Sequence, residues 1–313
     1  MDVTMSEPRL RRVPVRGGEL VVGVWEPEVP ADRTILAIHG ITASHLAWIS
    51  FAEEFADVRI IAPDLRGRGG SRDLPGPWGM AQHAADMQAV LDEFEVDRAL
   101  VVGHSMGGFV TGTLAASEPD RVVGAVVVDG GLPIPLPEGT TDADLPDALI
   151  GPAAERLSMT FTDAEQYREF WRQHPAFAAS WSEAIDRYVT YDLVGDPAHL
   201  RSASSLQAVT QDSLELQDEI EYLPRLRSLT MPFHFLRAPR GMLGQEHALY
   251  SPVQVEHWRR ELPRMVVHEI PGVNHYTIIM TRTGVDGIAP VVRMALNEAL
   301  PLPRADAVEG HVN

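Results

Sequence analysis

Residues 103–107 read GHSMG, a serine between two glycines, at the point where the apolar run ALVVGH gives way to the helix-like SMGGFVTGTLAA. A strand entering the turn and a helix leaving it form the context that the G-x-S-x-G pattern requires. Gly103 and Gly107 allow so sharp a turn that Ser105 is strained and its Oγ stands at the carboxyl edge of a sheet. The helix N-terminus there favours developing negative charge. The chemistry of such a serine is attack on a carbonyl carbon, and because its hydroxyl is a poor nucleophile at neutral pH it needs a base within hydrogen-bond reach. A glycine-rich turn with an incidental serine is the plainer alternative, but it leaves the flanking strand and helix unexplained.

A second stretch, VVVDGG at 126–131, ends an apolar run on an acid. Asp129 is either a carboxylate presented at the same sheet edge or the residue that starts the turn into Gly130 and Gly131. Competing chemistries are few. The chain has no Cys, which excludes a thiolate, and all 26 basic residues are Arg, which excludes a lysine Schiff base or a Ser–Lys dyad. Gly67-x-Gly69-Gly70 follows a strand, but the prolines of SRDLPGP forbid the helix that a dinucleotide loop requires. Neither HExxH nor another metal-ligand spacing occurs, so neither a metal nor a cofactor is expected.

The net charge of −18 argues against nucleic acid and anionic membrane surfaces as partners. The longest apolar runs, such as VVGAVVV, fall far short of the roughly 20 residues of a membrane span. No apolar stretch follows the polar MDVTMSEPRLRR, so no signal peptide is visible, and with no Cys a cytoplasmic location is the default expectation.

The elements that must position Ser105 follow from periodicity. Eight β-branched runs (LRRVPV, ELVVGVWE, TILAIHG, VRIIAPD, RALVVGH, VVGAVVVD, PFHFLRA and RMVVHEI) alternate with SHLAWISFAEEFAD, MAQHAADMQAVLDEFE and SMGGFVTGTLAASEP, which are apolar at helical spacing. That alternation predicts a mostly parallel α/β sheet. A final helix is expected after His275, running toward Ala299 with Gly287 as the place for a break. From Leu132 to about Ser228 no strand-like run is visible. This stretch holds proline-rich LPIPLP, helix-like pieces with Trp171, Trp181, Tyr188 and Tyr191, and 17 acids against 7 arginines. Residues 132–228 are therefore expected to form a helical cap over a core built from 1–131 and 229–313, the acids being its solvated face.

At this point the chain resembles the α/β-hydrolase fold family. TILAIHGITASHLAW matches the family's HG loop, IIAPDLRGRGGS its D-x-R-G-x-G-x-S turn, GHSMGG its nucleophile elbow and PGVNHYT the loop that presents a histidine, in the family's order. The resemblance implies an eight-stranded, mostly parallel sheet flanked by helices, with Ser105 as nucleophile and His275 as base. Together with the mechanics of the motif it points to the backbone N–H groups of Ile41 and Met106 as oxyanion donors. Gly40, His104, Trp48, Trp171 and Trp181 are the candidate pocket residues, though aromatics in a cap more often pack than recognise. Asp64 is usually structural in this family's turn.

The acid is where the sequence departs from the pattern. Most relatives carry it a few residues beyond the seventh strand, here PFHFLR, yet the chain continues as APRGMLGQEHALY, whose first carboxylate is Glu246. A minority arrangement, which resembles haloalkane-dehalogenase-type and zearalenone-lactonase-type relatives, puts the acid after the sixth strand, about two dozen residues past the nucleophile. Ser105 and Asp129 are 24 residues apart. Asp129 is thus favoured, with Glu246 the alternative and an unassisted Ser–His dyad the third.

The expected function is a cofactor-independent serine hydrolase acting on an apolar small-molecule ester or lactone. The alternatives are a C–C bond hydrolase of the meta-cleavage-product type and, from a different class, a non-catalytic small-molecule receptor on a hydrolase scaffold. Neither the substrate nor the oligomeric state is readable from the residues.

Overall fold

The computed structural model describes residues 7–29, 32–134, 141, 151–197 and 199–301. The end of the LPIPLP stretch and most of the acidic run behind it lie outside the described residues, as do both chain ends.

Each of the eight expected strands forms. In chain order they are β1 (Arg9–Val15), β2 (Gly18–Trp25), β3 (Thr34–Ile38), β4 (Arg59–Pro63), β5 (Ala99–His104), β6 (Val122–Val128), β9 (Phe233–Arg237) and β10 (Met265–Glu269). Two short strands, β7 (Leu193–Asp196) and β8 (His199–Ser202), fall between β6 and β9 in the chain and pair only with each other. The eight make one sheet in the order β1-β2-β4-β3-β5-β6-β9-β10, antiparallel at β1–β2 and β2–β4 and parallel elsewhere.

The central strands are buried and mostly apolar because both faces are covered. In β5, Ala99 and Val101 join the core layer that holds Met87, Leu91, Phe109 and Leu114 of the helices α2 (Met80–Glu93) and α3 (Met106–Ser117). Leu100 and Val102 face the opposite layer, with Phe51 from α1 (Ile49–Glu54) and Val285, Ile288, Val292 and Leu296 from the last helix, Arg282–Ala299. Each fully buried Val or Leu contributes roughly 1.5–3 kcal/mol, so this two-sided cover makes the central strands the rigid base for whatever sits at their ends.

Register then sets the geometry of the carboxyl edge. His104 pairs with Val128, Val128 with Leu236, and Glu269 with Arg237. The residues one step past β5 and β6, Ser105 and Asp129, therefore emerge side by side.

Between β6 and β9 lie helices at Pro152–Ser158, Ala164–Arg172, Glu183–Tyr191, Leu206–Ser213 and Glu219–Ser228. Four of them start on a side chain that accepts a backbone N–H: Asp163 from Gln166, Ser182 from Ile185, Ser205 from Ala208, and Asp218 from Ile220 and Glu221.

Two sequence expectations are corrected. The stretch read as strand-free contains the antiparallel hairpin β7–β8, and Phe161 adds a single bridge to Leu200. Four-residue strands are too short for alternation to register. The final helix breaks at Thr281 and not at Gly287. Thr281 is extended (φ −120°, ψ 154°) and its Oγ1 accepts the Gly284 N–H at 3.2 Å, capping a new helix. Gly287 is there for packing, since a Cβ on it would sit 2.6 Å from Ile270 Cγ2. Among the described residues no helix is long and apolar enough to cross a membrane, and no cluster of His, Asp and Glu could hold a metal.

Candidate active site

Ser105 is held at φ 54°, ψ −123°, between the last residue of β5 and the first of α3. A non-glycine residue at positive φ is strained, and the surrounding packing enforces it. A Cβ on Gly103 would overlap the Gly107 carbonyl, and one on Gly107 would overlap the Ile38 carbonyl, so both positions exclude side chains. On the other side of the turn a Cβ on Gly130 would overlap the backbone of Ser105 itself. The glycines after Asp129 thus let the end of β6 close directly onto the serine turn.

Asp129 is fully buried at φ 45° and its N–H donates to the Leu236 carbonyl at 2.7 Å. Its Oδ1 accepts the Ala238 N–H at 3.0 Å, and its Oδ2 lies 2.7 Å from His275 Nδ1. A carboxylate accepts, so Nδ1 carries the proton and Nε2 of the neutral ring is left with its lone pair. Glu246, the alternative carboxylate, sits exposed on the loop after β9.

The loop carrying His275 is shaped by Asn274, which sequence reasoning did not single out. Its Oδ1 accepts the N–H groups of Tyr276 and Thr277 at 3.0 and 2.9 Å, and its Nδ2 donates to the Ala176 carbonyl at 2.9 Å. The turn-forming composition of PGVNHYT was the available signal, since Asn commonly caps its own turn. His104 donates from Nε2 to the His275 carbonyl at 2.8 Å. Burial, with His275 adding to it, pushes His104 well below the usual histidine range, so it is a neutral brace.

The HG loop arrives from β3. A Cβ on Gly40 would stand 3.1 Å from Ser105 Cβ and 3.5 Å from its Oγ, so this backbone forms one wall around the hydroxyl. His39 donates from Nδ1 to the Gly40 carbonyl (2.8 Å) and accepts the Leu65 N–H at Nε2 (2.9 Å). Burial pushes His39 down to about 4, with Asp64 opposing it.

That shift has a sign. Between about pH 6.5 and 4 the unfolded chain binds a proton at His39 that the folded chain refuses, so stability falls as pH falls through this window. The cost is roughly 3 kcal/mol at 1.36 kcal/mol per pH unit. Urea midpoints measured at pH 7 and pH 4.5 should show the decline, and a flat profile would contradict it.

Arg68 was also missed by sequence reasoning, and it ties the loop to the inserted segment. Fully buried, it donates from Nε to the Ile41 carbonyl at 2.8 Å and from Nη1 to the Arg66 carbonyl at 2.8 Å, and its Nη2 lies 4.0 Å from Met106 Sδ. Its counter-ion is Asp212, 2.5 Å away on the helix Leu206–Ser213, which also accepts from Gly79 N and from His83 Nε2. Burial raises the Asp212 carboxyl, but Arg68 and His83 outweigh it and hold it at about 2. Arg68 therefore touches both residues whose N–H groups were expected to receive an oxyanion. Nothing in the local sequence announces a partner 144 positions away.

Asp64 accepts from His45, Gly70 and Tyr191 and organises the turn after β4. The candidate pocket aromatics separate. Trp48 is fully buried and edge-on to Phe51 in the core. Trp181 lies under the Arg172 guanidinium at 5.2 Å. Trp171 meets Tyr276 edge-on at 6.4 Å, and Tyr276 meets His275 at 5.5 Å. Of the three, it is Trp171 that reaches the histidine loop.

Comparison with known proteins agrees with this architecture. A family profile described as "alpha/beta hydrolase fold" matches residues 33–156. The lipase LipV of Mycobacterium tuberculosis is 33% identical over 132 residues, 42% of this chain and 48% of that protein. A putative non-heme haloperoxidase of Mycobacterium phage D29 is 33% identical over 116 residues, 36% of this chain and 39% of the relative. The chain thus matches less than half the length of these curated relatives. Among solved structures, E-2-(acetamidomethylene)succinate hydrolase superposes with a TM-score of 0.72 at 22% identity, covering 94% of this chain and 100% of that one. A thermophilic esterase from Thermogutta terrifontis gives 0.64 at 20% identity, covering 92% and 99%. By its sheet order, its strained serine turn and these likenesses, the chain has the α/β-hydrolase fold.

Proposed function

We propose that the chain is a cofactor-independent serine hydrolase that cleaves a carboxylic ester or lactone through an acyl-enzyme. The observation that carries the reading is the buried 2.7 Å pair of His275 Nδ1 and Asp129 Oδ2 at the sheet edge where Ser105 is held at φ 54°. The pair leaves His275 Nε2 as a base, and a base is what a serine hydroxyl lacks.

In this mechanism Ser105 Oγ attacks the substrate carbonyl as its proton passes to His275 Nε2, and Asp129 stabilises the imidazolium. The oxyanion is received by the Ile41 and Met106 N–H groups, each such donor being worth roughly 3 kcal/mol. Collapse breaks the C–O bond, His275 returns the proton to the leaving alkoxide, and the acyl group stays on Ser105. Water then attacks with His275 again as base, releasing the acid and restoring the hydroxyl. In a lactone the alcohol and acid leave as one molecule. The described helices between β6 and β9 act as a cap over this site. The likeness to a lipase over 132 residues supports ester chemistry.

A panel of activated acyl esters of graded chain length, run beside a panel of lactones, tests the reading. At least one class should turn over in the wild type and not in Ser105→Ala. Turnover that survives Ser105→Ala, or none across both panels, would overturn it.

A further inference from the structure

Arg156, on the helix Pro152–Ser158, is 1% exposed and is used on one side only. Its Nη1 donates to Tyr167 Oη at 2.7 Å, to Ser202 Oγ at 2.8 Å and to the Asp192 carboxylate. Asp192 is itself saturated, since it also receives Tyr167 Oη, Ser202 Oγ and the Ala203 N–H. The opposite edge of the guanidinium, Nε–H with Nη2–H, is buried and has no hydrogen-bond partner among the described residues. Two unmet donors on one buried cation are a costly arrangement that native structures rarely keep without a use.

The shape of that edge says what it takes. Nε–H and Nη2–H are parallel donors whose spacing matches the two oxygens of a carboxylate. The chain uses the same edge elsewhere: Arg66 grips Asp86 through Nε at 2.9 Å and Nη2 at 2.8 Å. Among the described residues no carboxylate meets the equivalent edge of Arg156.

Its position ties it to the site. The guanidinium lies 5.0 Å over the Trp171 ring, which meets Tyr276, which in turn meets His275. His174 and Phe177 close on the same Tyr276 ring at 5.7 and 5.4 Å. The fork is thus two aromatic rings from the histidine, in a buried setting where water competes poorly for it.

Resting on the hydrolase reading above, we infer that the Nε/Nη2 edge of Arg156 binds a carboxylate carried by the substrate at a distance from its scissile ester, so that the preferred substrates are half-esters of dicarboxylic acids. Asp192 already balances the charge of Arg156. Selection therefore comes from the paired donors, and an uncharged amide, which fills the fork poorly, is discriminated against.

The test compares phenyl half-esters of glutaric and adipic acid with the carboxamides of the same chains, as a ratio of kcat/KM values. In the wild type the carboxylate should be favoured at least tenfold at one of the two lengths. In Arg156→Lys, which keeps a cation beside Asp192 but has no fork, the ratio should fall to near one. Arg156→Met is run in parallel, with thermal melts to verify that each variant is folded. A wild-type ratio near one, or a preference that survives in folded Arg156→Lys, would overturn the inference.

Calorimetric binding of the monoamides of glutaric and adipic acid separates this from the hydrolase reading. If no ester turns over but either monoamide binds about tenfold more tightly to wild type than to Arg156→Lys, the hydrolase reading fails and the carboxylate site stands. Equal binding to both proteins removes the site whatever the kinetics show.

Discussion

Replacing Asp129 by Asn should lower kcat on an activated ester by roughly ten-thousand-fold while leaving the fold intact. The asparagine keeps an oxygen for the Ala238 N–H, now met at 3.0 Å by Oδ1, so the backbone contact that seats the side chain survives. What changes is the other arm. An amide nitrogen facing His275 Nδ1 donates where the carboxylate accepted, which drives the ring proton to Nε2 and removes the lone pair that Ser105 needs. The imidazolium formed in turnover also loses its buried counter-charge. Glu246→Gln, on an exposed loop position, should alter kcat by less than about twofold. Both are read from kcat and KM on one ester. The acid assignment is wrong if Asp129→Asn is close to wild type and Glu246→Gln collapses.

The second large effect is on stability. Arg68→Met removes the donor to the Ile41 carbonyl and leaves the fully buried Asp212 without its 2.5 Å partner. Stranding one member of a buried ion pair costs about 3–5 kcal/mol, far more than an exposed pair is worth. Because most of that cost is the uncompensated carboxylate, the double variant Arg68→Met/Asp212→Leu should recover a large part of it. Urea unfolding of wild type, both singles and the double gives the coupling directly. Additive single effects would mean that the pair is not acting as a unit. Since Arg68 also contacts Met106 Sδ, the single variant should lower kcat as well, by loosening both backbone segments beside Ser105.

Much of the scaffold was legible because its signals are local. Eight apolar runs bounded by turn residues mark eight strands, and GHSMG declares both the turn and the identity of the residue on it. The carboxylate on His275 was legible by a contrast between two places: an acid ends the run VVVD, and none comes after PFHFLR until Glu246. What could not be read was non-local. The positive φ of Asp129 and the closure of Gly130 onto the Ser105 backbone exist only once β6 is laid beside β5. The Arg68–Asp212 pair and the one-sided cluster at Arg156 join residues far apart in the chain, so no spacing announces them. The hairpin β7–β8 escaped because four residues carry too little pattern, and the helix break was misplaced because Gly287, a packing residue, is a stronger textual signal than the capping Thr281.

Everything proposed about catalysis depends on Ser105 being the atom that becomes acylated. Turnover of an activated ester, quenched in acid within the pre-steady state and read by intact mass and peptide mapping, tests this directly. A mass increase equal to the acyl group, confined to the peptide that contains Ser105, is the predicted result. Turnover with no acyl adduct at Ser105 under conditions that trap one, or an adduct on any other residue, would contradict it.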